Sequence, residues 1–512
     1  MKHTRYTIHD TPSTIGYWLL ASRYGRARGV TVVLVLAFMA VFAMITASIA
    51  GYVLQQGKYG RAISAREQAL HISEAGLEYY KWRLSHSTST ELTTGVALVS
   101  PYTYTVNDPE GGTLGNAVIT ATPALQCGAV QWIDLESRGT SNSSPGFPRT
   151  LLARYMKPSV AEYSTILNGD VRPVSQILGP YHSNFGIRMD GTNNSNVTSA
   201  VSTWLCDGSF GCSAPPPLPQ SKPGIFGAGA GYTLWKWGNT VLPIEFSGMS
   251  TNFPDLQTKA QALGIALNPM SVQVGGTIKD TFSSVGNNEQ KGFHLVFNPN
   301  GTVSVYHVTG TTWSWGKHID TGWQQDYYTI TNEIPVIGSP FVIPSGCSLI
   351  YSQAKTWIEG TIAGKVTVVV ADVSAGTGSF NPDIILNNNI NYYTATDGSV
   401  GLTAIAERSV LIPLLVPNAM SIRGIFVAQS GYYGRNLYDC TYTPYDRRAS
   451  LTMNGTVVSN LRVVRNRSYS YCSGFSGFTT LIDSYDRLLA FSPPPFTPST
   501  SVDYKLALWR EK

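Results

Sequence analysis

Between Gly29 and Val53 the chain reads GVTVVLVLAFMAVFAMITASIAGYV, and the 24 residues from Val30 onward include neither a charge nor a proline. A helix rises about 1.5 Å per residue, so this stretch spans the roughly 30 Å hydrocarbon core of a bilayer. A buried helix of a soluble core keeps a polar stripe, and this one is apolar all round. A removable secretory signal has a shorter apolar part of about 7–15 residues, although Ser48-Ile49-Ala50 offers the small-residue pattern of a cleavage site. Arg23, Arg26 and Arg28 precede the run, and Lys58 is the first basic residue after it. Basic flanks stay on the cytoplasmic side. The expectation is a single-pass protein of the inner, cytoplasmic membrane, with lipid contact over residues 30–53. Its N-terminus is then cytoplasmic, and everything beyond about residue 55 is extracytoplasmic or part of a surface filament.

The remainder fits an exported, turn-rich β protein. Only 13% of the 512 residues are charged, against 49 glycines and 29 prolines. The net charge is +5, and the first 29 residues hold +4 of it through Lys2, Arg5, Arg23, Arg26 and Arg28 against Asp10. A body left with +1 carries no electrostatic footprint for nucleic acid, and no nucleic-acid partner is expected. The six cysteines form no CxxC and no zinc-spaced Cys/His set, so disulfides are expected rather than metal. Cys206 and Cys212, close in sequence around a glycine-containing loop, form the first candidate pair, and Cys440 with Cys472 the second. Free buried thiols are the alternative.

Residues 54–86 continue as an amphipathic helix. Glu67, Glu74, Glu78, Lys81 and Arg83 interleave with Ala65, Ala69, Ile72 and Leu77 at spacings of three and four. Four short strands follow, at Tyr102–Val106, Ala117–Thr122, Val130–Ser137 and Thr150–Met156. From about residue 160 short apolar pulses alternate with Gly, Asn and Ser. The pulses return between 357 and 460 as WIEGTIAGKVTVVVADV, DIILNNNINYY, VGLTAIAERSVLIP, MSIRGIFVAQSGYYG and LTMNGTVVSN, about every 20–30 residues. Such a pattern reads as a parallel β-helix, each coil burying its apolar face on the next, with a β-sandwich as runner-up. An insertion over 205–337 opens with a proline run, includes a short helix over Leu256–Leu267, and carries a hairpin around Asn298-Pro299-Asn300-Gly301. The tail from Ser492 to Lys512 reads as an end cap.

The expected order is therefore a leader or cytoplasmic tail (1–29), a transmembrane and stalk helix (30–86) and a small antiparallel sheet (87–159). A first β-helix part (160–204), an inserted β-rich subdomain (205–337), a second β-helix part (338–475) and a C-terminal cap (476–512) complete it. The fold class is mainly β with one long N-terminal helix.

Two motifs carry a family resemblance. Arg26-Ala27-Arg28-Gly29 set directly against the apolar run resembles a type IV prepilin leader, which implies cleavage between Gly29 and Val30. Pilins usually carry glutamate as the fifth residue of the mature chain; that position is Leu34 here. The segment QALHISEAGLEYYKWRL, with Ala69 and Glu74-Ala75-Gly76-Leu77 at its core, resembles the N-terminal helix of PilX-type type IV pilus assembly proteins. The resemblance implies a pilin-like minor component or assembly factor of a type IV pilus or related secretion filament, structural or adhesive, with other pilus subunits as partners. The alternative is a membrane-tethered β-helix adhesin or polysaccharide-degrading enzyme without a filament role.

Catalytic signatures are absent from the sequence: no HExxH, GxSxG, P-loop or GxGxxG occurs. The chain is not expected to be an enzyme, and no cofactor or metal is expected. Asp170, Arg172, Arg188 and Asp190 form the one cluster of the kind β-helix enzymes use, and polar residues at coil corners are the plainer reading of it. Trp235 and Trp237, two apart, would face one side of a strand and offer a surface for extracellular glycan, or simply belong to a core.

Overall fold

A computed structural model describes residues 30–88, 91–92, 98–212, 219–246, 252–282, 291–373, 382–394, 397–469 and 474–512. Two compact units make up the chain, Met1–Gln68 and Ala69–Lys512. Helix α1 runs through Val30–Ser85. In the first unit its apolar side chains, Val30 to Leu54, are exposed, and the helix is long and apolar enough to cross a membrane. The leader, the proline run at 215–217 and Cys472 lie outside the described residues.

In the second unit, Ala69, Ile72, Leu77, Tyr80 and Leu84 recur at helical spacing and are buried. They pack on one face of an antiparallel sheet of β1 (Tyr102–Asn107), β2 (Thr113–Gln126), β3 (Ala129–Ser141) and β4 (Arg149–Met156). Alternate residues Ala117, Ile119, Ala121, Ile133, Leu135, Leu151 and Ala153 face the helix, as expected for a sheet with one covered face. The strand Lys505–Glu511 adds to β4 as a fifth member. The C-terminus, expected to end as a cap, thus places its last strand in this sheet. Its preceding turn lies on the parallel strands, where Thr403 and Thr497 share a hydrogen bond at 2.7 Å.

The remaining strands pair mostly in parallel. One ladder runs, in spatial order, from Ile265–Asn268 through Leu349–Ser352, Lys365–Val370, Gly401–Ala406, Ala419–Ala428 and Arg447–Ser459. It continues through Thr165–Leu167, Tyr181–Ser183 and Val197–Ser199 to Trp235–Trp237. A second ladder runs from Gly292–Phe297 through Thr356–Ile362, Ile384–Tyr392 and Val410–Ile412 to Tyr433–Arg435. Both faces of the first ladder are covered. Val366, Val368, Val370, Leu402, Ala404 and Phe426 point into one core. Val369, Ile405, Ile425 and Val427 point into another. That is why these strands read as unbroken apolar runs rather than alternating ones.

Within the segment 205–337, expected as an inserted subdomain, Trp235–Trp237, Ile265–Asn268 and Gly292–Phe297 pair with strands of the two ladders. Edge backbone groups of a short strand are satisfied most readily by a neighbouring ladder, so strands from a long connection join it. The spatial order of the strands is not the chain order. The strand at 447–459 is followed by the one at 165–167, and the chain reaches the opposite end only by crossing from Trp237 to Ile265. That crossing carries Ile244, Phe246 and the helix Phe253–Leu263, whose buried Leu256 and Ala260 cover the second core. The expected hairpin forms, with Gly292–Phe297 antiparallel to Thr302–Lys317 and Gly301 at φ +80° in the turn.

Candidate functional site

The helix meets the sheet through glycine. A Cβ on Gly139 of β3 would collide with the Ala69 carbonyl oxygen and the Ser73 amide of α1. A Cβ on Gly76 of α1 would meet the Ala117 side chain at 2.5 Å and Ser137 at 2.8 Å. Backbones therefore approach more closely here than any side chain permits. The Tyr80 hydroxyl donates to the Val99 carbonyl at 2.9 Å, and Tyr79 stacks on Tyr104 with centroids 4.2 Å apart. Glu74-Ala75-Gly76-Leu77 thus does structural work in the second unit: Gly76 permits the contact and Leu77 is buried beside it.

Val30 is the first described residue, at the start of α1, while Gly29 lies outside the described residues. Leu34 is exposed.

Of the polar cluster, the structure brings three members together. Arg172 Nε donates to Asp190 Oδ2 at 2.7 Å, and Arg188 Nε to the same oxygen at 2.9 Å. Burial opposes ionisation of Asp190, but the hydrogen bonds from Arg172 and Arg188 outweigh it and hold its carboxyl below the usual range. Asp170 instead accepts from the Gly186 amide at 2.8 Å. Burial raises its pKa, with the Gly186 bond pulling the other way. Both guanidinium groups bond the one carboxylate, so the trio is a positioning network. Arg188 also donates to the carbonyl oxygens of Phe210, at 3.2 Å, and Gly211. These belong to the loop that the Cys206–Cys212 disulfide closes.

A second disulfide, Cys127–Cys347, joins residues 220 apart. Nothing in the spacing pointed to it. It ties the β2–β3 turn to the segment before Leu349, and backbone bonds support it: the Cys127 amide donates to the Gly346 carbonyl at 2.8 Å. Trp235 is half-buried and its Nε1 donates to Asn193 at 3.0 Å, while Trp237 is exposed.

Between sheet and ladders sits Lys365, its Nζ bonded to the Ser492 hydroxyl and 5.6 Å from the centre of the Trp132 ring. Burial, then the charge of Arg154, pushes its ammonium down to about 8.

No family model matches the chain, and no curated protein matches it. Among solved structures, the competence-associated pilin ComZ from Thermus thermophilus matches at 13% identity and a TM-score of 0.27, over 88% of this chain and 97% of that one. A TM-score of that size does not equate two folds, so function is argued from this chain's own geometry.

Proposed function

We propose that this chain is a membrane-anchored, pilin-like component of a type IV pilus or a related secretion filament, structural or adhesive and not an enzyme. On this reading the two ladders are faces of a parallel β-helix that the helix-and-sheet module carries. PilX-type assembly proteins are the family the N-terminal helix is proposed to follow. The observation that carries the proposal is helix α1. It is a single element of 56 residues, exposed and apolar through its first part and buried on an antiparallel sheet through its last. The first part has the length and surface for a bilayer or for a bundle of like helices. The last part is fixed by glycine contacts to a rigid body.

Cleavage after Gly29 would remove five basic residues. Each charge resists entry to the bilayer centre by about 2.5–3.5 kcal/mol, so trimming frees the helix to move sideways into a filament. With Leu34 where a carboxylate would otherwise face the new amine, a neighbouring subunit has to supply that partner. This suits a tip or minor position. N-terminal sequencing of protein from the membrane fraction tests the reading. Val30 as first residue is the expected result. Gly51, from a cut after Ala50, or an intact Met1 would overturn it.

A further inference from the structure

The first ladder passes without interruption from Arg447–Ser459 to Thr165–Leu167. The second does not. Gly434 bridges Val464 on one side of the junction, and Val171 bridges Ile187 on the other. Among the described residues no bridge joins 171–178 to 462–468. A cleft of about 430 Å³ opens where that rung is missing, with these two segments among its walls. It exists because two distant runs of chain stack end to end there.

Its lining is chemically uneven. Met453, Val457 and Leu481 from the main core supply an apolar floor. Arg172, Arg462, Arg465 and Arg467 line it against one carboxylate, Asp483. Arg465 holds that carboxylate with two bonds, one of 2.8 Å, and Arg172 is engaged with Asp190. The positive charge of Arg462 and Arg467 is left without a carboxylate in the lining. Burial, then repulsion from Arg462, lowers the pKa of Arg467. This is a local feature, since the body as a whole is nearly neutral. Gln176 and Ser468 add exposed hydrogen-bonding groups. Phe210 adds a ring, and its loop is held by the Cys206–Cys212 disulfide and by Arg188.

We propose that this cleft binds an acidic oligosaccharide, with a carboxylate or sulfate group held between Arg462 and Arg467 and a sugar ring lying against Phe210. Guanidinium groups bind such anions through paired, charge-assisted hydrogen bonds. Amide and hydroxyl side chains suit sugar hydroxyls, and the volume falls within that of small-ligand sites, roughly 300–1,000 Å³. A nucleic acid would need an extended basic track to follow its backbone, whereas these charges line a single cleft. The proposal is independent of the filament reading, because its readout is binding rather than the N-terminal sequence.

Titration calorimetry on the full chain in detergent micelles tests it, using digalacturonate, a sulfated disaccharide, neutral galactobiose and a short single-stranded oligonucleotide. At least one acidic disaccharide is expected to bind about tenfold or more tightly than the neutral one, and added salt should weaken it. Which one binds identifies the anionic group. Arg462→Gln should lower that affinity about tenfold, the loss of one charge-assisted contact. Arg467→Gln should do the same. Arg467 also reaches the Lys317 carbonyl at 3.4 Å, so Arg462→Gln, whose side chain lacks that role, decides if the other variant misfolds. Binding of neither acidic sugar, equal binding of the neutral one, tighter binding of the oligonucleotide or an unaltered Arg462→Gln would each overturn the proposal.

Discussion

The antiparallel sheet under α1 and the parallel ladders beside it solve burial in opposite ways. In the sheet, β2 and β3 alternate a helix-facing residue with an outward one, and one long helix covers the single apolar face. In the ladders, strands such as Lys365–Val370 and Gly401–Ala406 bury nearly every residue, because a core lies on each side. The sheet is built from neighbours in sequence, with a fifth strand from the far terminus. The ladders also join strands far apart in sequence, such as 165–167 on 457–459. A local module tolerates change away from its one interface, whereas a stacked one transmits damage to the adjoining strands.

The largest test cuts the covalent tie between the two regions. Replacing Cys127 and Cys347 with serine should cost about 5 kcal/mol in the chain-entropy model, since the bond closes a long loop. Replacing Cys206 and Cys212, six residues apart, should cost about 2 kcal/mol. Thermal melting under non-reducing conditions should rank the pairs in that order. Equal losses would mean that the sheet and the ladders are held together well enough without the tie.

Next, Gly139→Val targets the helix-facing interface alone. The new side chain would strike the α1 backbone at Ala69 and Ser73, so about 3 kcal/mol or more should be lost. Hydrogen exchange should show the loss in α1 from Ala69 to Ser85 and in the sheet, and leave the ladder strand Gly401–Ala406 protected. Deprotection of that strand as well would show that the two regions unfold as one.

Lys365 probes their boundary. Its folded value of about 8 lies below the usual 10.5, so the protonated lysine destabilises the fold below about pH 8. That penalty is relieved as pH rises from 8 towards 10.5. Lys365→Met should therefore melt about 2–4 °C higher at pH 7, and the advantage should shrink by pH 10. A constant advantage across that range would assign it to packing instead.

The smallest effect lies within the ladders. His294 bonds Glu333 at 2.8 Å and faces Glu359 at 3.7 Å. Burial works against its charge, but the two glutamates prevail and raise its pKa above 6.5. The stability this provides is full below pH 6.5 and is lost as pH rises through the raised value. His294→Gln should lower the melting temperature by about 1–2 °C at pH 5.5 and by less at pH 9. A loss that does not change with pH would reassign His294 to a purely steric role.

Local pattern made much of this legible. The apolar run, the three-and-four spacing of Ala65 to Leu77, the four strands of the sheet and the turn at Asn298–Gly301 are all set by residues near in sequence. The candidate site was half legible. Arg172, Arg188 and Asp190 lie within 19 residues and do meet, whereas Asp170 binds the Gly186 amide instead. Arg462 and Arg467 gave no signal, because a short arginine-containing stretch such as LRVVRNRS looks like any solvated surface.

The sequence by itself determined the helix, the small antiparallel sheet and the apolar pulses of the ladder strands, since each depends on periodicity within a few residues. Only the tertiary structure decided the order of stacking, the entry of 265–268 and 505–511 into their sheets, the Cys127–Cys347 bond and the arginine-lined cleft. These depend on pairings between segments some 85 to 350 residues apart. Many apolar strands of similar composition satisfy the same local pattern, so the choice among them rests on how side chains and backbone groups fit once all are assembled.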